Sequence, residues 1–382
     1  MIIWPVVLFL IVLSVLIAEI IRKNIHIWII GYIKHCFMLW GRRPVHGPTH
    51  IFFCIVDHFE PAWNKVSIEE ERKRVDFWVN NYPKLADSHK DSDGKCPQYT
   101  FFYPFEEYRP EHINKLAGLC EAGYAEVEVH LHHAHDTSAG LRRKIEEFKK
   151  ILSGHGLLSV DSEGMTRYGF IHGNWALDNS RHGGQWCGVN DELTVLKETG
   201  CYADFTLPSA PCESQTGKIN SIYYAFDDPA RPKSHDQGVD VTRGKPSVGD
   251  LMIIQGPLTF DWIKRKLGIF PRIENGKIES SNLPDNHRVD LWIKQAISVK
   301  GQDDCVFVKV YTHGCQENNF DVLLGAPMDK MFTYLETKYN DGSKYLLHYV
   351  TAREVYNIVK SIEGGTGIKG GRNAFLKRNM RS

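Results

Sequence analysis

Four histidines stand within six positions in the stretch EVEVHLHHAHDT, residues 126–137: His130, His132, His133 and His135. The residues before them alternate between apolar and polar, which predicts a β-strand that ends in this cluster. Residues two apart on a strand point to the same side, so His130 and His132 can face one centre. Neutral imidazole binds zinc and other first-row metals well. We therefore expect a divalent metal, zinc with cobalt, nickel or manganese as alternatives; a solvated polar loop stays open.

Other apolar runs also end in side chains that could reach such a centre. They are Asp57, His58 and Glu60 after FFCIV, His172, Asn174, Trp175 and Asp178 after RYGFI, and His313 after VFVKVYT. The carboxyl ends of parallel strands meet on one face of an α/β fold, where active sites form. We expect Asp57 to act as a metal ligand or a general base and His313 to protonate a leaving group. Substrate contacts are predicted for Glu60, His172, Asn174, Trp175 and Asp178.

The elements that must position these residues alternate along the chain. Residues 51–56 form a continuous apolar run, typical of a strand buried on both faces. Further strands are predicted in QYTFFYPFEEY, AEVEVHLHH, CYADFTLPSAP, GDLMIIQGPL and KYLLHYVT, with helical patterns between them; Asp261 and Trp262 are interpreted as the start of a helix. Strands that alternate with helices indicate an α/β fold around a parallel sheet, either closed or open.

Composition excludes some functions and compartments. Lys plus Arg and Asp plus Glu both number 46, so the formal net charge is zero. This balance argues against nucleic-acid binding through a strong basic field. The nine cysteines are odd in number and contain no CxxC pair, which favours a reducing compartment over a disulfide framework.

The amino-terminal residues predict a membrane anchor. Residues 1–21 include an apolar stretch long enough to span a bilayer, without the basic residues that begin a signal peptide. A buried core helix is the alternative. Residues 22–48 are predicted to lie in the membrane interface, with Trp28, Tyr32 and Trp40 at headgroup level. The basic residues that follow the span place the main domain in the cytoplasm: Arg22, Lys23, Lys34, Arg42 and Arg43. Residues 49–363 form the main domain, and residues 364–382 are expected to be a flexible basic tail.

At its polar strand ends the chain resembles the NodB-type polysaccharide deacetylases. FCIVDHFEP corresponds to their first motif, with Asp57 at the general base and His58 where a metal-binding acid is expected. AEVEVHLHHAH resembles the motif that carries two metal-binding histidines; His132 with His135, or His130 with His132, fit it best. GFIHGNWALDNS stands at the third motif, with His172 in place of its arginine, and VFVKVYTHG matches the last motif with His313 as the catalytic histidine.

The resemblance covers roughly residues 49–360 and implies a distorted (β/α) barrel. It also implies a metal-dependent hydrolase that removes N- or O-acyl groups from a carbohydrate in bacterial glycan metabolism; a lipid-linked carbohydrate is one option. The implied metal ligands are His58, His130, His132 and His135. Two other functions stay open. A glycoside hydrolase would pair Asp57 or Glu60 with Asp178 or Asp261, and a barrel without catalysis would bind glycan or act as a scaffold.

Overall fold

The computed structural model describes residues 3–42 and 45–379 as an α/β protein. Its helices are α1 Ile3–Arg22, α2 Ile25–Trp40, α3 Ile68–Ala86, α4 Pro110–Glu121, α5 Ser138–Gly154, α6 Glu192–Glu198, α7 Asn286–Lys294, α8 Phe320–Leu323, α9 Ala326–Lys338 and α10 Ala352–Glu363. Its strands are β1 Thr49–His58, β2 Tyr99–Pro104, β3 Ala125–Leu131, β4 Ser159–Val160, β5 Thr166–His172, β6 Cys201–Asp204, β7 Ile222–Ala225, β8 Gly238–Asp240, β9 Leu251–Ile254, β10 Thr259–Lys266, β11 Phe270–Glu274, β12 Cys305–Thr312, β13 Tyr345–Tyr349 and β14 Lys377–Arg378.

A mostly parallel central sheet organises the chain. Its strand order is β12-β1-β2-β3-β5-β6-β9-β7-β8, and β13 also pairs with β1. The ladders from β12 to β9 are parallel, whereas β7 is antiparallel to both β9 and β8. The predicted α/β fold with a parallel sheet is therefore confirmed. Within the described ranges, no ladder joins β12 to the far end of the sheet.

The sheet is covered on both faces, as the apolar run in β1 predicts. Phe53 and Ile55 pack in the cluster that contains Trp78 of α3. Phe52 and Val56 belong to a second cluster, which includes apolar residues of α10. Successive β1 side chains thus enter opposite layers. This alternation decides where the polar residues at the end of the strand point.

Helix α2 docks on the main domain. Trp28 is fully buried, and its ring lies 4.8 Å from that of Phe260. Asn24 donates a hydrogen bond to the Pro211 carbonyl over 2.9 Å, and Arg42 donates one to the Ala296 carbonyl over 2.7 Å. The predicted headgroup position of Trp28 is therefore wrong, because this indole packs inside the protein; Trp40 remains exposed.

The first two residues of the predicted anchor lie outside the described ranges, and so does Arg43. Over the part of the chain that the structure describes, no helix is both long and apolar enough to cross a membrane.

The carboxyl-terminal segment is docked, contrary to the flexible tail expected for residues 364–382. Strand β14 pairs with β4, and Leu376 is buried. Arg353 donates hydrogen bonds to the carbonyls of Arg372 and Leu376. These backbone contacts hold the segment without any apolar periodicity in its sequence. Residues 380–382 lie outside the described ranges.

The segment interpreted as a helix start at Asp261 and Trp262 is instead a strand. Both residues lie in β10, which forms an antiparallel hairpin with β11. Its apolar side chains are mostly exposed at the tip, so the segment lacks the buried face that would show in a sequence pattern.

Candidate metal centre

The histidine-rich stretch divides between two groups of side chains at the end of β3. The rings of His130 and His132 lie 4.6 Å apart on one side, as the spacing of two predicts. His133 turns the other way, and its ring lies 4.6 Å from that of His172. His135 is exposed, with a positive φ of 52°, and joins neither group. The structure thus does not bring His135 to the expected metal centre.

The first group, which we call the His130 site, consists of His58, Glu60 and His130. A ligand atom from each of these residues lies within 4.8 Å of the other two. Glu60 Oε1 is 3.3 Å from His130 Nε2 and 4.0 Å from His58 Nδ1. His58 ends β1 and His130 lies near the end of β3, so parallel strands bring these rings together.

A backbone contact sets His130 for metal binding. His130 Nδ1 lies 2.7 Å from the Ile171 carbonyl oxygen, which can only accept a hydrogen bond. Nδ1 therefore carries a proton, and Nε2 is the ring nitrogen that faces Glu60. A ligand histidine held by a second-shell carbonyl is the usual arrangement at protein metal sites. These residues thus fit a divalent cation.

The charges at the site favour the same state. Burial lowers the pKa of His58 well below its usual range, and repulsion from His313 and His130 adds to this shift. Burial would raise the pKa of Glu60, but hydrogen bonding and charge interaction with His130 outweigh it and leave this pKa lowered. The site therefore combines His58, which burial keeps neutral, with the His130 imidazole and a carboxylate whose ionised form is favoured. Imidazole and carboxylate are both ligands that first-row metals bind.

A carboxylate–imidazole pair borders the His130 site. His132 Nε2 lies 3.6 Å from Glu60 Oε1, while its Nδ1 hydrogen-bonds to Glu106. Burial lowers the pKa of His132, but Glu106 and Glu60 more than reverse this effect and leave it raised. Glu106 is not among the predicted site residues, although it stands at the polar end of the predicted strand QYTFFYPFEEY; the structure ends this strand at Pro104 and places Glu106 in the turn that follows.

His313 and Trp175 complete the surroundings of His58. The His313 ring stacks on His58 at 4.8 Å, and the Trp175 ring lies 6.0 Å from both imidazoles. Burial lowers the pKa of His313 to about 4, and its Nδ1 has no hydrogen-bond partner. The structure thus brings two of the predicted residues to the metal centre from the ends of different elements. Asn174 lies beside Trp175 in the same turn.

Asp57 does not share the face of His58. It is fully buried in the layer of Trp78, where its Oδ1 accepts a hydrogen bond over 2.7 Å from the Gly314 amide. Burial raises its pKa to about 7. Because side chains alternate along β1, Asp57 points away from the rings at the His130 site. Its Oδ1 is held by the backbone of Gly314 instead.

His172 joins a second group, the Cys187 cluster, with His133, Cys187 and Glu192. All four side chains are buried, and one ligand atom from each lies within 4.8 Å of the others. The sequence predicts a substrate contact for His172, whereas Cys187 and Glu192 are not among the predicted site residues. No sequence signal joined them, since Cys187 lies in a loop and Glu192 begins a short helix.

The carboxylates proposed for a glycoside hydrolase have other partners. Asp178 is fully buried and accepts hydrogen bonds from the Ser234 hydroxyl and the His235 amide. Asp261 Oδ1 lies 2.9 Å from His287 Nε2. The same oxygen accepts hydrogen bonds from the backbone amides of Ile263 and Lys264 in β10. Asp178 is thus not at the surface where a substrate would meet it.

Comparison with known proteins adds no relative. No family model matches the chain, and no curated protein is significantly similar to it. The argument for function therefore rests on the chemistry of the His130 site.

Proposed function

We propose that this protein is a metal-dependent hydrolase that removes acyl groups from a carbohydrate. The observation that carries the proposal is a three-residue donor set, His58, Glu60 and His130, beside a partly exposed rim. Three protein ligands with one open position are typical of catalytic metal sites, whereas closed four-ligand sites are structural. A divalent cation bound there would polarise an acyl carbonyl and lower the pKa of a bound water.

Two imidazoles beside the donor set divide the proton transfers. Burial favours neutral His313, which can accept the proton of the attacking water at an unpartnered nitrogen. Glu106 favours protonated His132, which can donate from Nε2 to the departing sugar oxygen or nitrogen. Environments that push two pKa values apart are how enzymes assign a base and an acid. We therefore assign His313 the base role, rather than the acid role expected from the sequence.

The carbohydrate substrate is supported by the resemblance and by one side chain. Trp175 lies against His58 and His313, so its ring offers an apolar face beside the reacting group. We further propose a distorted barrel of the NodB type. Lys309 of β12 supports it, because its ammonium donates to the carbonyls of Phe205 and Leu207 just beyond β6. This contact joins β12, at one end of the sheet, to the segment that follows β6 in the other half of the sheet.

The proposal is tested by metal content and hydrolysis with the full chain in detergent. We expect near-stoichiometric zinc, cobalt, nickel or manganese at the His130 site and release of acetate from acetylated oligosaccharides. His130→Asn and Glu60→Gln should lose both. His135→Asn is the matched control, because this exposed histidine lies in the same segment and should change neither. Metal retained in full by both site variants, or turnover that survives chelation, would contradict the proposal.

We also propose that the β10–β11 hairpin faces a membrane. Its tip exposes Ile263 by 75% and Leu267 by 81%, next to Lys264, Arg265 and Lys266. Lys23, at the end of α1, lines the same cleft as these basic residues. Apolar side chains with a basic border are typical of surfaces that enter an anionic membrane interface. The predicted anchor and the hairpin would then hold the domain against the cytoplasmic leaflet.

Fluorescence quenching by lipids brominated in the acyl chains tests this orientation in reconstituted full-length protein. Trp262 is 53% exposed in the hairpin, and Trp186 is 47% exposed in the loop before α6. Trp262→Phe should reduce the quenched part of the fluorescence, whereas Trp186→Phe should leave it unchanged. Equal effects of the two substitutions would show that the hairpin does not enter the bilayer.

A further inference from the structure

The Cys187 cluster lies outside the proposed catalytic machinery, yet its chemistry is that of a metal site. His133 follows β3, His172 ends β5, Cys187 lies in the loop between residues 173 and 190, and Glu192 begins α6. The four residues come from separate parts of the chain and are all buried. Thiolate, imidazole and carboxylate together form a donor set that zinc binds.

The separations between donor atoms match tetrahedral coordination. Glu192 Oε1 lies 3.2 Å from His133 Nε2 and 3.5 Å from His172 Nε2, and Glu192 Oε2 lies 3.4 Å from Cys187 Sγ. In a tetrahedral zinc site, bonds of about 2.0–2.3 Å place neighbouring ligand atoms about 3.3–3.6 Å apart. The contacts of Glu192 thus have the lengths expected between neighbouring zinc ligands, and one ligand atom from each of the four residues lies within 4.8 Å of the others.

One ligand atom of the cluster has no hydrogen-bond partner. His172 Nδ1 donates to the Gly173 carbonyl over 2.6 Å, so neutral His172 carries its lone pair at Nε2. That Nε2 is buried and unpartnered, and it lies 3.5 Å from Glu192 Oε1. Because buried polar atoms are nearly always satisfied, a lone pair held this close to a carboxylate oxygen points to a cation site.

The outer contacts also resemble those of metal sites. The Asp178 amide donates to Glu192 Oε2 over 2.6 Å, which orients the carboxylate. His133 Nδ1 lies 3.3 Å from Asp136 Oδ2, and Lys144 contacts that same oxygen. A carboxylate behind a histidine ligand fixes its ring and raises its basicity.

A cation here would cross-link an irregular loop. Residues 173–190 contain only short 3-10 turns, and five non-glycine residues in them have positive φ: Asn174, Trp175, Asp178, Asn179 and Trp186. Such a backbone persists only where its surroundings fix it. The loop carries Trp175 to the His130 site, so the cluster sits where a cross-link would hold one wall of that site.

We propose that His133, His172, Cys187 and Glu192 form a second, structural zinc site that anchors the loop of residues 173–190. All four positions are filled by protein and buried, so no position is open to substrate. The proposal is independent of catalysis at the His130 site. It requires only a tetrahedral cation with one thiolate ligand.

Cobalt substitution of the full chain tests the site directly. A thiolate bound to Co(II) gives a near-ultraviolet charge-transfer band, and tetrahedral coordination gives strong visible bands. We expect both in the wild type and in His130→Asn. Cys187→Ser should lose the charge-transfer band and one equivalent of metal, whereas Cys201→Ser, at another buried thiol, should keep them.

X-ray absorption of the zinc-loaded wild type provides a measurement that does not depend on the folding of a variant. With both proposed sites filled, one sulfur ligand per two zinc ions is expected. Zinc without sulfur, or a charge-transfer band that survives in Cys187→Ser, would overturn the proposal. A wild type that holds one sulfur-ligated zinc but shows no hydrolysis would contradict only the catalytic proposal, so the two can fail separately.

Discussion

A buried arginine next to β12 allows a stability prediction with a defined magnitude. Arg288 in α7 is fully buried and donates from Nε and Nη2 to both carboxylate oxygens of Glu274, over 2.7 and 2.8 Å. It also donates to the backbone carbonyls of Lys277, Asn282 and Leu283. The backbone between Glu274 and Asn282 also forms hydrogen bonds with the backbone of Tyr311 in β12. Tyr311 lies two residues before His313.

Arg288→Met removes the cation and leaves the Glu274 carboxylate buried without its charge partner. Breaking a buried ion pair in this way typically costs about 3–5 kcal/mol. Since domains of ordinary stability unfold with about 5–15 kcal/mol, the variant should lose about a fifth or more of its free energy of unfolding. The orphaned carbonyls add to the loss.

Arg72→Met is the matched control. Arg72 donates from Nε to both oxygens of Glu111 over 3.1 Å, but both side chains are exposed. An exposed pair contributes at most about 1 kcal/mol. The free energies are obtained from urea unfolding followed by tryptophan fluorescence. If Arg288→Met and Arg72→Met differ by less than about 1 kcal/mol, burial does not set the strength of this ion pair and the reasoning is refuted.

Three further predictions concern pH, packing and the metal centre. Burial opposes protonation of His89, but its two carboxylate partners outweigh this effect and raise its pKa, so the folded protein binds this proton more tightly. The stabilisation is present at low pH and is lost as pH rises through the raised pKa. In urea titrations, His89→Gln should therefore lower the free energy of unfolding more at pH 5.5 than at pH 8.5. Trp28→Ala should cost about 3–5 kcal/mol in the same assay, because it leaves a cavity against Phe260. Gly173→Ala would place a Cβ 2.3 Å from the His132 ring, which borders the His130 site. We expect the metal affinity of the His130 site to fall about tenfold or more, measured by competition with a chromogenic chelator.

The sequence alone determined the strands that carry the His130 site. The apolar runs of β1 and β12 and the alternation of β3 can be identified without a structure, because burial on one or both faces leaves a period in the residues. From these periods the polar strand ends at His58, His130 and His313 were expected to meet on one face, and the structure brings their rings together.

Two positions at the site carry a signal in the sequence. Asp57 and His58 are neighbours in a strand, so the alternation that places His130 and His132 on one face places Asp57 and His58 on opposite faces. Glu106 follows the apolar residues of the predicted strand QYTFFYPFEEY. Both positions follow from local geometry alone.

Only the tertiary structure decided the rest. The Cys187 cluster joins residues up to 59 positions apart, from His133 to Glu192, and no local period links a loop thiol to the first turn of a helix. The β10–β11 hairpin and the docked carboxyl-terminal segment likewise depend on contacts with distant elements. A local pattern of residues indicates which face of a helix or strand is buried. Which distant element covers that face depends on packing across the whole chain, and no local pattern in the sequence indicates it.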